Sequence, residues 1–202
     1  AVPEAFLFAV ICGVIVSFII GLVALRASGV AFMIVTLMFS QAAFLTVLYF
    51  GDITRGDEGI VIKDDQRVFS VFGHAVNLAD PLVRYNIALA FLALAIFLCL
   101  AVVRFRIGHV LVAIRENENR TAMLGYDVKR YKLIAFVLSG SFAGVAGAAY
   151  ALLFAYAGST LASIAYSIHP LLWTLLGGAA TVLGPVLGTA LMFLLVDFAS
   201  GF

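Results

Sequence analysis

Residues 133–196 contain no Asp, Glu, Lys or Arg. An uncharged run of that length leaves no polar face to present to water, so it points to a bilayer as solvent. About 20 helical residues, rising 1.5 Å each, cross the ~30 Å hydrocarbon core. The run is therefore too long for one crossing and about long enough for three. Three more uncharged stretches precede it: 5–25, between Glu4 and Arg26; 27–51, between Arg26 and Asp52; and 85–103, between Arg84 and Arg104. Each has the length of one spanning helix. Composition agrees, because only 11% of the residues are charged and 64% are hydrophobic, against roughly a quarter charged in soluble domains. The fold class expected is an all-α integral membrane protein, a multi-span helical bundle built as a single domain over 1–202.

Breakers divide the long run at Gly158-Ser159, His169-Pro170, Gly177-Gly178 and Gly184-Pro185. Residues 133–156 form a fourth span. Residues 171–183 make a half-helix too short to cross, and Pro185, lacking an N–H, interrupts the helix there. The C-terminal segment is thus expected as a broken helix. Two readings remain open for the break, a kink within a packed helix or a backbone break lining a translocation path. Gly140-x-x-x-Gly144 and Gly184-x-x-x-Gly188 are patterns of close helix packing, with Gly147 extending the first.

Basic residues orient the bundle. Segment 104–132 carries Arg104, Arg106, Arg115, Arg120, Lys129, Arg130 and Lys132 against three acids, whereas 52–84 carries four cations against six acids. The positive-inside rule puts 104–132, and the turn at Arg26, in the cytoplasm and 52–84 outside. The outer loop is expected to fold as a small hairpin or short helix. Within 104–132, residues 110–124 read as one amphipathic helix of about four turns. Leu111, Ile114, Thr121 and Leu124 share its apolar face, and Arg115, Glu116, Asn119 and Arg120 its polar face. Gly125 offers a left-handed C-cap, and Asp127 an N-cap for the next helix. The residues alone leave open whether this helix rests on lipid or docks to a protein.

Chemistry is sparse. Lys63, Lys129 and Lys132 follow Ile62, Val128 and Tyr131, so none closes a phosphate-binding glycine loop, and the chain is not the nucleotide-hydrolysing part of a machine. No HExxH or GxSxG occurs, and His74, His109 and His169 share no pattern. Cys12 and Cys99 lie far apart in apolar runs, with no metal-ligand spacing. No cofactor, metal or nucleic-acid site is expected. The polar residues left inside the spans are uncharged, Thr36, Ser40 and Gln41 among them, and suit helix packing or a polar path.

Residues 108–153, GHVLVAIRENENRTAMLGYDVKRYKLIAFVLSGSFAGVAGAAYALL, resemble the LivM-type permease subunits of branched-chain amino acid ABC importers. The similarity rests on Ala113-Ile114-Arg115-Glu116-Asn117-Glu118, Leu124-Gly125, Arg130-Tyr131-Lys132-Leu133, Ala135-Phe136 and the Ala143–Gly147 run, with His109 where the family often has Arg. LRASGVAFMIVTL at 25–37 is similar to a family motif with Ser28 replacing a second Arg. TLLGGAATVLGPVLGTAL at 174–191 resembles V-L-G-G-x-G-T-x-x-G-P-x-x-G. TRGDEGI at 54–60 resembles T-G-G-x-x-G-I, but carries Arg55, Asp57 and Glu58.

The resemblance implies a non-enzymatic, multi-pass subunit of the bacterial inner membrane. A LivH-like permease would pair with it, cytoplasmic ATPases would use the ATP, and an extracytoplasmic binding protein would deliver a branched-chain or related amino acid. The ATPase-coupling residues implied are Leu111, Ile114, Arg115, Glu116, Asn117, Glu118, Leu124 and Gly125. Thr36, Gln41, Gly177, Gly178, Gly184 and Pro185 are candidates for the path, which must solvate a zwitterion with dipoles, hydroxyls or water. Family members usually carry further spans before the Leu25 motif, so the chain corresponds to the C-terminal two-thirds of such a subunit or to a short homologue. Urea, amides or aromatic acids as cargo, a passive channel, and a membrane anchor or assembly subunit stay open as alternatives.

Overall fold

A computed structural model of the chain describes residues 2–56, 58–62, 68–71, 74–78 and 80–200. The helices are α1 (Val2–Ala24), α2 (Val30–Tyr49), α3 (Gly51–Thr54), α4 (Pro81–Arg104), α5 (Arg106–Glu116), α6 (Glu118–Met123), α7 (Val128–Phe154), α8 (Ile164–Gly177) and α9 (Gly184–Ser200). Short strands β1 (Ile60–Val61), β2 (Val68–Val71), β3 (His74–Asn77) and β4 (Tyr156–Ala157) lie in the connections, with a 3₁₀ turn at Ser159–Ala162. Helices α1, α2, α4 and α7 are long and apolar enough to cross a bilayer, while α8 and α9 are apolar but shorter. This is the helical membrane bundle expected from the uncharged runs.

The ends of the spans follow from local chemistry. Gly29, at φ +59, sits in the turn between α1 and α2 and delays the start of α2 to Val30. Asp80 caps α4 by accepting from the Leu82 N–H at 3.1 Å, and Pro81 at the first helical position has no N–H to leave unpaired. Asp127 caps α7 by accepting from the Arg130 N–H at 3.2 Å, as its position predicts, so α7 begins before the uncharged run does.

The chain divides into two compact units. The first, 1–39 with 59–157, is organised by α1 against α7. Lipid tails are as apolar as leucine, so burying apolar surface does little to drive helices together in a bilayer; close backbone approach and van der Waals contact must do it. Small residues supply that approach. A Cβ on Gly13 would lie 3.0 Å from the Gly140 carbonyl oxygen and 3.3 Å from Gly144 Cα. One on Gly144 would lie 2.9 Å from the Ala9 oxygen, and one on Gly140 would collide with the Ser17 side chain. Ser17 stays compact by donating to the Gly13 carbonyl at 2.6 Å. Thus Gly140-x-x-x-Gly144 meets a reciprocal Ala9–Gly13–Ser17 stripe on α1, which sequence reasoning did not single out. Gly147 faces open space and takes no part. Helix α4 joins through Phe6 and Phe91, stacked at 5.3 Å.

At one end of this unit β1 pairs antiparallel with β4, Ile60 opposite Ala157, and the Ile62 N–H donates to the Ala155 oxygen at 2.9 Å. β2 and β3 pair with Val68 opposite Asn77, so the loop holds a hairpin, as well as the short helix α3 at its start. At the other end lie the α1–α2 turn and the 104–132 segment.

The second unit, 40–58 with 158–202, contains the broken C-terminal segment. The break is real, but its position corrects the sequence reading. The first half-helix is Ile164–Gly177, not 171–183, and it runs through Pro170. Its 14 residues rise about 21 Å. The His169-Pro170 pair is therefore not a breaker: Ser163 starts the helix upstream by accepting from the Tyr166 N–H at 3.3 Å. Gly177-Gly178 ends it, because Gly178 takes φ +98, outside the right-handed helical region. Pro185 does not interrupt a helix either. It stands in the first turn of α9, where the first N–H groups lack intrahelical partners anyway. The Thr181 hydroxyl accepts from the Gly184 N–H at 3.0 Å and leads the chain into that turn.

Candidate functional site

The charged segment leaves α4 through Phe105, whose extended backbone (φ −73, ψ 162) turns the chain into α5. Gly108 is buried against the end of α4. A Cβ there would strike the Val102 and Val103 carbonyl oxygens and lie 2.6 Å from the Val103 carbonyl carbon. Ile114, 8% exposed, turns inward, with Leu111 half-buried beside it.

The single helix expected over 110–124 is two helices. Asn117 adopts φ −157, ψ 102, ends α5 and caps α6, its side chain accepting from the Arg120 N–H at 2.9 Å. An Asx side chain competes with the helical backbone in this way and favours a cap over a helix interior. Thr121, 3% exposed, completes the joint by donating its hydroxyl to the Asn117 carbonyl at 3.0 Å. Gly125, at φ +90, closes the segment as the left-handed C-cap expected of it. Glu118 pairs with Lys132 at 2.6 Å and Asp127 with Arg130 at 2.8 Å. Such exposed pairs contribute about 0–1 kcal/mol each; their use here is to tie α6 and its exit to α7.

The break rotates the C-terminal part of the segment. Leu124, expected on the inward face with Ile114, is 71% exposed, and Met123 beside it is 87% exposed. Arg115, Glu116, Asn117 and Glu118 are also exposed. The apolar tip Met123–Leu124 was missed by a 3.6-residue count, because that count assumes an unbroken helix. Asn117→Ala should remove the cap and cost about 1 kcal/mol locally. Amide exchange over 118–121 should accelerate about fivefold; unchanged exchange at the Arg120 amide would show that the cap carries no stability.

Of the candidate path residues, Gly177 and Gly184 meet directly. A Cβ on Gly177 would collide with the Gly184 oxygen and lie 2.7 Å from the Gly188 nitrogen. A Cβ on Gly188 would collide with the Trp173 oxygen. Gly184-x-x-x-Gly188 is therefore a backbone-to-backbone crossing of α9 on α8, with Gly178 in the intervening turn and Pro185 at the start of α9. Gln41 lies in this same unit, next to Ser40, whose hydroxyl donates to the Ala162 carbonyl at 3.2 Å and lies 3.3 Å from the Ser167 hydroxyl. Thr36 belongs to the first unit and donates to the Met33 carbonyl of its own helix at 2.8 Å. His169 lies within α8, its ring 6.0 Å from that of Trp173. Among the described residues no group of three His, Cys, Asp or Glu side chains could hold a metal ion.

Helices of spanning length, a broken C-terminal pair and a charged segment between two spans describe a helical membrane protein, and the comparisons with known proteins give its family. The family model for the permease component of branched-chain amino acid transport systems matches residues 1–202. The chain is 28% identical over 193 residues to the high-affinity branched-chain amino acid transport system permease protein LivM of Escherichia coli (strain K12), covering 87% of this chain. It is equally similar to the protein of the same name from Salmonella typhimurium (strain LT2), again 28% over 193 residues and 87% of this chain. The chain spans 45% of the length of each of these relatives. No solved structure matches it significantly. With a family match over its whole length, the chain is a multi-pass inner-membrane protein that belongs to the branched-chain amino acid transport system permease family.

Proposed function

We propose that the chain forms part of the translocation unit of an ATP-driven importer of branched-chain amino acids, and that α5–α6 is where a separate ATPase grips it. The observation that carries this reading is the exposed Met123–Leu124 tip on a charged segment between two spanning helices, in a chain of this family. Large apolar side chains held out beside Arg120 on a polar segment suit a protein groove better than water. In this reading the end of the first unit that carries Arg26 and 104–132 faces the cytoplasm, following its excess of cations. The 52–84 connection faces the substrate-binding protein, and a second permease subunit completes the path. Hydrolysis belongs to the ATPase; this chain contributes the surface that moves.

Replacing both Met123 and Leu124 with Glu should weaken ATPase association about thirtyfold, the effect of losing one buried hot spot of about 2 kcal/mol. Co-purification from membranes measures it, with circular dichroism confirming that the helices remain. Undiminished association would remove α6 from the interface. Reconstituted vesicles test the transport reading itself. Uptake of leucine, isoleucine or valine should require the ATPase and ATP, and equal flux without either would show a passive channel instead.

A further inference from the structure

We infer that the first unit holds a binding site for an anionic phospholipid, with the phosphate in a basic pocket formed by the α1–α2 turn, α5–α6 and the start of α7. The pocket has a volume of about 630 Å³. Its polar lining includes Arg26, Arg115, Lys129 and Lys132 against a single carboxylate, Glu118. Glu118 is already paired with Lys132 at 2.6 Å. Among the described residues, Arg26, Arg115 and Lys129 have no ion pair. Lys129 and Lys132 also stand in the first turns of α7, a helix end whose positive potential the Asp127 cap offsets only in part. Three cations without an ion pair, from the α1–α2 turn, α5 and the start of α7, line one pocket, and a bound anion would offset their mutual repulsion.

The rest of the lining suits a ligand that also carries an apolar part. Phe32 and Phe136, edge-on at 6.0 Å, form an apolar wall with Leu25, Ile114 and Ala135. Leu25 follows the end of α1, Phe32 stands in the first turn of α2, Ala135 and Phe136 lie on the α7 run that begins at Leu133, and Ile114 faces them from α5. The pocket thus sets a cationic side against an aromatic one. A glycerophospholipid with a net negative head has that division of charge and apolar surface, and basic pockets between membrane helices recognise such heads. Met123 and Leu124 do not line the pocket, so a bound lipid leaves that tip exposed.

Native mass spectrometry of the purified protein, titrated with phosphatidylglycerol or phosphatidylcholine, tests the site. Phosphatidylglycerol should bind preferentially. The triple variant Arg26→Gln, Arg115→Gln, Lys129→Gln should lose about a hundredfold in affinity, close to fivefold for each cation. The control triple Arg106→Gln, Arg120→Gln, Arg130→Gln removes the same charge from the 104–132 segment outside the pocket, and should lose tenfold or less. Millimolar inorganic phosphate should not displace the lipid. Equal losses in the two triples would overturn the proposal in favour of general surface attraction, and displacement by phosphate would overturn it in favour of a free-anion site. Because all six positions are exposed, both triples are expected to fold, and phosphatidylcholine binding by each provides the check.

Discussion

Gly188→Ala should cost the chain about 3 kcal/mol and detach α9 from α8. The added methyl meets the Trp173 carbonyl oxygen directly, and lies 2.9 Å from the Gly177 nitrogen and 3.0 Å from its Cα. All three obstacles are backbone, so no rotamer change makes room and the two helices must move apart. Overpacking in soluble cores costs about 1–3 kcal/mol where side chains can adjust; a collision with main chain belongs at the upper end. Separation also removes the close contacts that hold small-residue crossings together in lipid, where no hydrophobic force replaces them. The right comparison is Gly147→Ala, which adds the same methyl to α7 where nothing lies within 4 Å, and which should stay within about 0.5 kcal/mol of the parent. Reversible unfolding in mixed micelles measures both. Equal stability of the two variants would mean that the α8–α9 crossing is not what organises the second unit. Leucine uptake should fall with Gly188→Ala if residues 178–183 line the path.

How much of this was readable in the sequence depended on which interaction decided each element. Span positions are set by the absence of charge over about 20 residues, a one-dimensional property, and the four spans lie where the uncharged runs put them. Asp127 and Gly125 act through neighbours within a few residues, so their capping roles were readable too. Asn117 was not. Its side chain competes for the Arg120 N–H that an unbroken helix would use otherwise, and the apolar spacing of Leu111, Ile114, Thr121 and Leu124 argued for continuity. Once the helix breaks there, Ile114 faces inward and Leu124 outward, so the coupling residues implied by resemblance divide between two surfaces. Pro170 misled for a related reason. Proline is a strong local signal, but Ser163 upstream starts the helix and Gly177-Gly178 downstream stops it, and α8 carries the proline between them. The Ala9–Gly13–Ser17 stripe needs its partner on α7 before it means anything, and the basic pocket needs three segments, 25–32, 111–118 and 129–136, brought together. Neither is a local property of the chain.

Gly108→Ala should separate docking from transport. Gly108 lies where α5 folds back on the end of α4, and any Cβ meets the Val102 and Val103 carbonyls. Those carbonyls belong to the last turn of a spanning helix and cannot withdraw without unwinding it. Helix α5 must therefore lift away from α4, and in the proposed coupling that contact is what would carry movement of the charged segment to a span. Met123 ends α6 and Leu124 is its C-cap, both beyond the Asn117 joint, so the surface proposed for the ATPase is retained. The variant should insert normally and bind the ATPase within about threefold of the parent, a difference under 1 kcal/mol. Amino acids transported per ATP hydrolysed should fall at least tenfold, the effect of losing about 1.4 kcal/mol of coupling. Gly108→Ala therefore differs in kind from the Met123 and Leu124 double variant, which loses association first. If Gly108 served only to fold the segment, association and uptake would fall together, and the α4–α5 contact would not be the element that transmits motion. Retained association with lost uptake, measured on the same reconstituted complex, is the outcome that assigns transmission to that contact.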